Sequence, residues 1–356
     1  MKKLLLLLLS VSAFSLASKA QDTIKVTSDA PLIIYGSVDA YYKYDFSGHK
    51  NIGTSFASDQ NSVSIGMVDL GFKKTVGAAS FVGELSFGPR SDASIANAAY
   101  HIQNLYVNYS LSPKLTLTAG FMATFVGYEV IAPTGNFNYS TSYLFTNGPF
   151  QNAGIKATYA FSDKASLMVG AFNDSWNVYT GKEVSTFGAQ LMLVPVTGWT
   201  AYLNVLSGPI SGTELDLTTA YQITPAFKLG LNAADFTPSH YTHLHGQNDP
   251  PNNYGFTGVA VYPQLAVSKA VTLGLRGEYF KTKPGTDASS LVTGAAPGGS
   301  VMAYTLTANI KSGPLTFIPE VRLDNVNSLA NSSFTNSSGV GTKSASQFAL
   351  AAVYAF

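Results

Sequence analysis

The chain has 356 residues and a formal net charge of +1, and only 12% of its residues are charged. A net charge near zero gives no electrostatic basis for binding nucleic acid. The cysteine count of zero rules out disulfide scaffolds, thiolate metal sites and cysteine nucleophiles. Charged residues usually make up about a quarter of a globular chain. The low content here predicts that much of the outer surface faces something other than water.

The first 20 residues have the pattern of a secretory signal peptide. Lys2 and Lys3 precede a leucine block from residue 4 to residue 9, and Ser18-Lys19-Ala20 forms a small-x-small cleavage site. The apolar block is too short to span a membrane as a helix. We therefore expect residues 1–20 to be removed and residues 21–356 to form the mature domain.

The mature sequence alternates between apolar and polar residues with a period of two. In the segment from Leu32 to Tyr44, Ile34 and Val38 fall on one face, whereas Asp39 and Lys43 fall on the other. This period is typical of β-strands with two different faces. The same pattern recurs near residues 80–87, 104–109, 199–205, 271–279 and 347–356.

The connections between these segments alternate in length. Tight turns are predicted near residues 76–77, 112–114, 162–164, 195–198, 224–225, 268–269 and 312–314, and longer polar loops near residues 45–61, 88–100, 122–151, 174–184, 206–213, 235–255, 281–299 and 324–345. Seven short and eight long connections imply about 16 strands. We therefore predict an all-β fold, a transmembrane antiparallel up-and-down β-barrel in the outer membrane of a Gram-negative bacterium.

A closed barrel explains the distribution of charge along the strands. In lipid every backbone polar group must be paired within the protein, so a sheet spans the bilayer only when it closes on itself. Charged side chains then face the water-filled interior. The predicted lumen-lining charges are Asp39, Lys73, Glu84, Arg276, Glu278, Glu320 and Arg322.

The longest break in the alternation runs from Phe121 to Asn152. It contains Gly127-Tyr128-Glu129 and then an N-x-N-Y-S run, Asn136 to Ser140, before Asn152 and Gly154 re-enter a strand. This pattern resembles a signature of the β-barrel porin family described as OmpL-like, and the resemblance extends loosely over the mature chain. The terminal Phe356 is similar to the signal that the barrel assembly machinery reads.

This resemblance implies an outer-membrane porin without a cofactor, through which small hydrophilic solutes diffuse. It also implies contact with outer-membrane lipid, and porins of this size are often homotrimers. General porins of similar strand number fold their third long loop inward, and the loop at residues 122–151 occupies that position. Its apolar content is too high for a loop in water.

We expect the 122–151 loop to set the pore constriction, with Glu129, Tyr128, Asn136 and Asn138 as candidate residues. Glu129 would face Arg276, Arg322 or Lys73 across the lumen, and the resulting field would screen solutes by charge, favouring cations. The alternative is that the loop forms a lid or a subunit contact, in which Glu129 caps local backbone donors.

Other functional classes receive less support from the sequence. His240, His243 and His245 could bind a transition metal, but their spacing also suits exposed loop residues, so we assign no metal site. An outer-membrane barrel enzyme that hydrolyses lipid or peptide would need a positioned nucleophile, and G-x-S-x-G is absent. A surface adhesin or structural barrel remains as an alternative.

Overall fold

The described residues of the computed structural model form one closed antiparallel β-barrel of sixteen strands. The structure describes residues 30–54, 56–95, 97–239, 255–283, 293–296 and 298–356. The strands are β1 (Ile33–Asp45), β2 (Ser62–Val76), β3 (Ala79–Phe87), β4 (Ile102–Ser112), β5 (Leu115–Ala123), β6 (Gln151–Ser162), β7 (Ala165–Asn173), β8 (Val184–Leu193), β9 (Trp199–Gly208), β10 (Gly212–Gln222), β11 (Phe227–Thr237), β12 (Phe256–Ala266), β13 (Val271–Thr282), β14 (Ser300–Ser312), β15 (Leu315–Val326) and β16 (Ser344–Ala355). The predicted fold class and strand number are confirmed.

Each strand pairs with its neighbours in sequence, and the first strand pairs with the last. The two backbone hydrogen bonds between Gly36 and the terminal Phe356 are both 3.1 Å long and lie at the end of the β1–β16 seam. Because the sheet has no free edge, its backbone donors and acceptors are paired around the whole circumference. The carboxyl-terminal strand is therefore part of the closure.

The alternating faces of the strands point to lipid and to the lumen as the sequence predicts. In β1, Ser37 and Asp39 are buried inside the barrel, whereas Val38 is 43% exposed on the outside. The outer surface carries a broad set of exposed apolar side chains. Aromatic residues near the short turns belong to this surface, as expected for a girdle at the membrane interface: Phe81, Tyr109, Phe161 and Trp199.

Long and short connections lie at opposite ends of the barrel, with one departure from the predicted pattern. The sequence predicts a long loop over residues 206–213, but β9 ends at Gly208 and β10 begins at Gly212, which leaves a turn of residues 209–211. Gly212 has a φ of 76°, which the tight turn requires. The polar residues Ser207 and Thr213 belong to the strands, where their hydroxyls are 2.7 Å apart.

The connection between β5 and β6, residues 124–150, enters the barrel, and we call it the inner loop. It contains a 3-10 turn at Pro133–Gly135 and a short helix at Tyr143–Asn147. The Ser142 hydroxyl caps this helix by accepting a 3.0 Å hydrogen bond from the Phe145 amide. Among the described residues, no helix has the length and apolar character needed to cross a membrane.

The two faces of β9 provide a test of the barrel register. Leu203 lies near the middle of the strand and is 50% exposed on the outer face. We predict that Leu203→Arg lowers the free energy of unfolding in lipid vesicles by roughly 2–4 kcal/mol, because the charge then faces the bilayer interior. Thr200→Arg on the lumen face is the matched control and should lower the free energy of unfolding much less. Equal losses would place the strand one residue out of register.

The inner loop and the lumen

Three neighbouring strands present a charged surface to the inner loop. Strand pairing places Arg276 of β13 beside Thr305 of β14, and Thr305 beside Arg322 of β15. The period of two along a strand puts acidic residues on the same inner face, before and after the arginines: Glu278, Glu320 and Asp324. The wall therefore offers both strong acceptors and strong donors to a polypeptide that crosses the lumen.

The carboxylates of this wall accept hydrogen bonds from the backbone of the inner loop. Glu278 accepts from the amides of Tyr143 and Leu144, at 3.0 and 2.8 Å, at the start of the short helix. Glu320 accepts from the amides of Tyr139 and Ser140, at 3.0 and 3.3 Å. Carboxylate–amide hydrogen bonds are stronger than neutral ones, and both carboxylates are buried. These four bonds fix the loop against β13 and β15.

Glu129 and Arg276 form a buried ion pair between the loop and the wall. The Arg276 Nη1 atom lies 2.8 Å from Glu129 Oε1, and the two side chains are 0% and 5% exposed. Arg276 also donates to the Ser140 carbonyl at 2.6 Å, and Glu129 accepts from the Ser142 amide at 2.7 Å. The prediction placed Glu129 across the lumen from Arg276, Arg322 or Lys73. In the structure the loop brings Glu129 into direct contact with Arg276.

Arg322 and Lys73, the other cations expected to face Glu129, have different surroundings. Arg322 donates to both carboxylate oxygens of Asp324, at 2.8 and 3.0 Å, and to the Thr141 carbonyl at 2.8 Å. Its guanidinium lies 4.8 Å from the centre of the Tyr143 ring, within cation–π range. Lys73 is exposed near the short-turn end of β2. Neither cation contacts Glu129 in the described residues.

The opposite wall holds the first half of the inner loop. Asp216 of β10 accepts from the Gly127 amide at 3.1 Å, and Gln190 of β8 donates to the Phe125 carbonyl at 3.0 Å. From the outer end, Arg90 donates to the carbonyls of Ile131 and Tyr139, at 3.0 and 3.2 Å. The loop is thus attached to both sides of the barrel and crosses its interior.

Glycines on the inner wall leave room for the loop's large side chains. A Cβ atom added at Gly274 of β13 would overlap the ring of Phe137, so only glycine permits this approach. The same holds for Gly188 with Phe125 and for Gly230 with Tyr128. The wall is therefore shaped to receive the loop as well as charged to bind it.

The four candidate constriction residues all border one cavity of about 780 Å³ below the inner loop. Tyr128 stacks on Tyr262 with ring centres 4.4 Å apart. Burial, followed by the nearby charge of Glu129, raises the pKa of Tyr128 to about 12, so its hydroxyl stays protonated. Asn136 braces the loop by bonding the amide and carbonyl of Val130 at 2.9 and 2.6 Å, and Asn138 donates to Thr307 at 2.7 Å.

A second cavity of about 660 Å³ lies on the other side of Tyr128 and Glu129, against β3 to β6 and β8 to β10. Glu84 and Lys156 border it, and Glu84 accepts a 3.0 Å hydrogen bond from Asn104. Asp39, the remaining predicted lumen charge, accepts from the Met67 amide at 2.9 Å and from the Tyr139 hydroxyl. Tyr128 and Glu129 border both spaces.

Sequence reasoning missed several residues of the site. Asp216, Lys156, Lys228 and Lys311 all lie on lumen-facing strand positions, and continuing the alternation through every strand would have identified them. Arg90 follows β3 in a short helix, Pro89–Asp92, and no local pattern points to its contacts with the inner loop.

His240, His243 and His245 lie outside the described residues. Within the described part of the chain, no group of three histidine or acidic side chains is arranged to hold a metal ion.

A family model matches residues 31–356, well over half of the chain, and its description reads "Putative beta-barrel porin-2, OmpL-like". The chain belongs to this family. It is an outer-membrane porin, and the predicted family and location are confirmed. No curated protein matches the sequence.

Solved structures share the fold of this chain at low sequence identity. The anion-selective porin from Comamonas acidovorans is 12% identical, with a TM-score of 0.58 over 92% of this chain and 100% of that chain. The trimer form of OmpT, an outer membrane protein of Vibrio cholerae, is 12% identical, with a TM-score of 0.55 over 92% and 99%. Salmonella typhi OmpF in complex with daunomycin is 11% identical, with a TM-score of 0.55 over 92% and 100%.

The buried ion pair predicts a large effect of neutralising Glu129. Glu129→Gln leaves Arg276 without its acidic partner, and breaking a buried pair costs roughly 3–5 kcal/mol. We expect amides of residues 127–143 to exchange faster in hydrogen–deuterium exchange, because the loop detaches more often from the wall. Glu183→Gln, at an exposed site in the loop before β8, is the control. Unchanged exchange in Glu129→Gln would show that the ion pair does not hold the loop.

Proposed function

We propose that this porin lets small hydrophilic solutes diffuse passively across the outer membrane, through a lumen that the inner loop narrows. The observation that carries the proposal is the pair of cavities on either side of Tyr128 and Glu129 inside a closed barrel. A barrel of sixteen strands is wide enough to enclose an aqueous channel. Polar and charged groups border both cavities, as a path for hydrated solutes requires.

The inner loop would set the constriction, with Tyr128, Glu129, Asn136 and Asn138 at its border. Its attachment to β13 and β15 on one side and to β8 and β10 on the other supports a fixed narrowing. The Glu129–Arg276 contact argues against Glu129 as a free negative charge that selects cations. We therefore assign Glu129 to positioning the loop.

We propose a channel without catalytic activity. The lumen acids Glu278 and Glu320 bond the backbone of the inner loop, which argues against a catalytic role for either. His101, a histidine in the described part of the chain, packs against Phe87, and their ring centres are 4.3 Å apart. This contact gives it a packing role at the start of β4.

Processing and assembly complete the proposal. The lysine–leucine pattern of residues 1–20 supports removal of a signal peptide, and the exposed aromatic Phe356 would be read by the barrel assembly machinery. A homotrimer is proposed on the likeness to OmpT of Vibrio cholerae, whose structure is described as a trimer form. The exposed apolar outer wall would contact outer-membrane lipid around such an assembly.

Planar-bilayer recording tests both the channel and its constriction. We expect steady ohmic conductance from the purified protein, and a higher conductance after deletion of residues 134–142, because this segment crosses the lumen. Deletion of residues 336–339, in the exposed part of the loop before β16, should leave conductance unchanged. Absence of conductance would contradict the channel, and an unchanged value after the first deletion would place the constriction elsewhere.

A further inference from the structure

The cavity of about 780 Å³ below the inner loop, which we call the larger cavity, is bordered by more positive than negative side chains. Lys228, Lys311 and Glu129 are the charged residues among the described residues that border it. Glu129 is in contact with Arg276, so its negative charge is already balanced. Two lysines therefore dominate the electrostatic potential of this space.

Neither lysine has an acidic partner within salt-bridge distance in the described part of the chain. Lys228 is the second residue of β11, and Lys311 is the penultimate residue of β14. Both strand positions lie near the short turns, so the two ammonium groups are at the same end of the lumen. Lys156, which borders the other cavity, differs because Glu84 borders that cavity as well.

The neutral groups around the larger cavity can also stabilise an anion. Gln264 of β12, Thr272 of β13 and Thr316 of β15 border it and carry side-chain donors. The acids of the same wall are occupied elsewhere, since Glu278 and Glu320 bond the loop backbone. The cavity thus combines cations and neutral donors with no free carboxylate among its described lining residues.

We propose that this cavity makes the pore anion-selective, with Lys228 and Lys311 as the residues that determine selectivity. Unpaired positive charges in a confined space with low-dielectric walls concentrate small anions and exclude small cations. The solutes favoured would be small anions such as carboxylates and phosphates. This inference rests on the proposed channel and adds the charge of its solutes.

Reversal potentials across a potassium chloride gradient test the inference. The unaltered protein should pass chloride in preference to potassium. Lys228→Gln and Lys311→Gln should each shift the reversal potential towards zero, and the double variant should shift it further. Lys164→Gln is the matched control, because this lysine is exposed in the turn between β6 and β7, outside both cavities. It should leave the potential unchanged.

The double variant Lys228→Arg/Lys311→Arg separates charge from structure, since it should keep the anion preference if positive charge is the cause. No conductance from the unaltered protein would overturn the proposed channel and this inference together. Steady conductance with a preference for potassium would overturn the inference alone. The inference alone would also be overturned if the double variant Lys228→Gln/Lys311→Gln kept the full chloride preference.

Discussion

The arrangement of the lumen depends on hydrogen bonds between wall carboxylates and the backbone of the inner loop. The loop residues that pack against β13 and β15 are buried, so their amides need partners within the protein. Glu278 and Glu320 accept hydrogen bonds from four amides of the loop, those of Tyr143, Leu144, Tyr139 and Ser140. Burying a carboxylate costs free energy unless the carboxylate is hydrogen-bonded. The loop amides therefore stabilise the wall carboxylates, just as the carboxylates stabilise the loop.

This mutual requirement also determines which charges remain available to solutes. The arginines of β13 and β15 are paired with Glu129 and Asp324, and each also donates to a carbonyl of the inner loop. These four side chains are buried, and they stabilise the contact between the inner loop and the wall. Among the described residues, Lys228 and Lys311, nearer the short turns, form no ion pair or side-chain hydrogen bond with the inner loop. The net charge of the whole chain is only +1, yet its distribution inside the barrel is strongly uneven.

The barrel could be predicted from the sequence because its signals are local. Alternation with a period of two and tight turns specify strand number and the facing of each residue, so the sequence predicts Arg276 and Glu320 on the lumen face. In the structure both side chains contact the inner loop. The turn at residues 209–211 was misjudged because polar residues at the ends of β9 and β10 have loop-like composition. Composition does not distinguish a solvated loop from strand ends that lie outside the bilayer.

The contacts of the site could not be predicted in the same way. Glu129 and Arg276 are 147 positions apart in sequence, and their meeting depends on the path of the inner loop across the lumen. The period of two fixes which face a residue occupies, but it gives no distance across the barrel. For the same reason, the sequence predicted Glu129 to face a cation across the lumen, whereas the structure places it in direct contact with Arg276.

Cross-linking the loop to the wall most directly tests whether the inner loop lies in the lumen as described. Asn138 donates to Thr307 at 2.7 Å, and the chain has no cysteine that would interfere. Asn138→Cys combined with Thr307→Cys should form a disulfide in intact cells under oxidising conditions, seen as a mobility shift on non-reducing gels. Asn138→Cys combined with Thr186→Cys, on the buried inner face of β8, should form none. A disulfide in the second pair and none in the first would contradict the position of the loop.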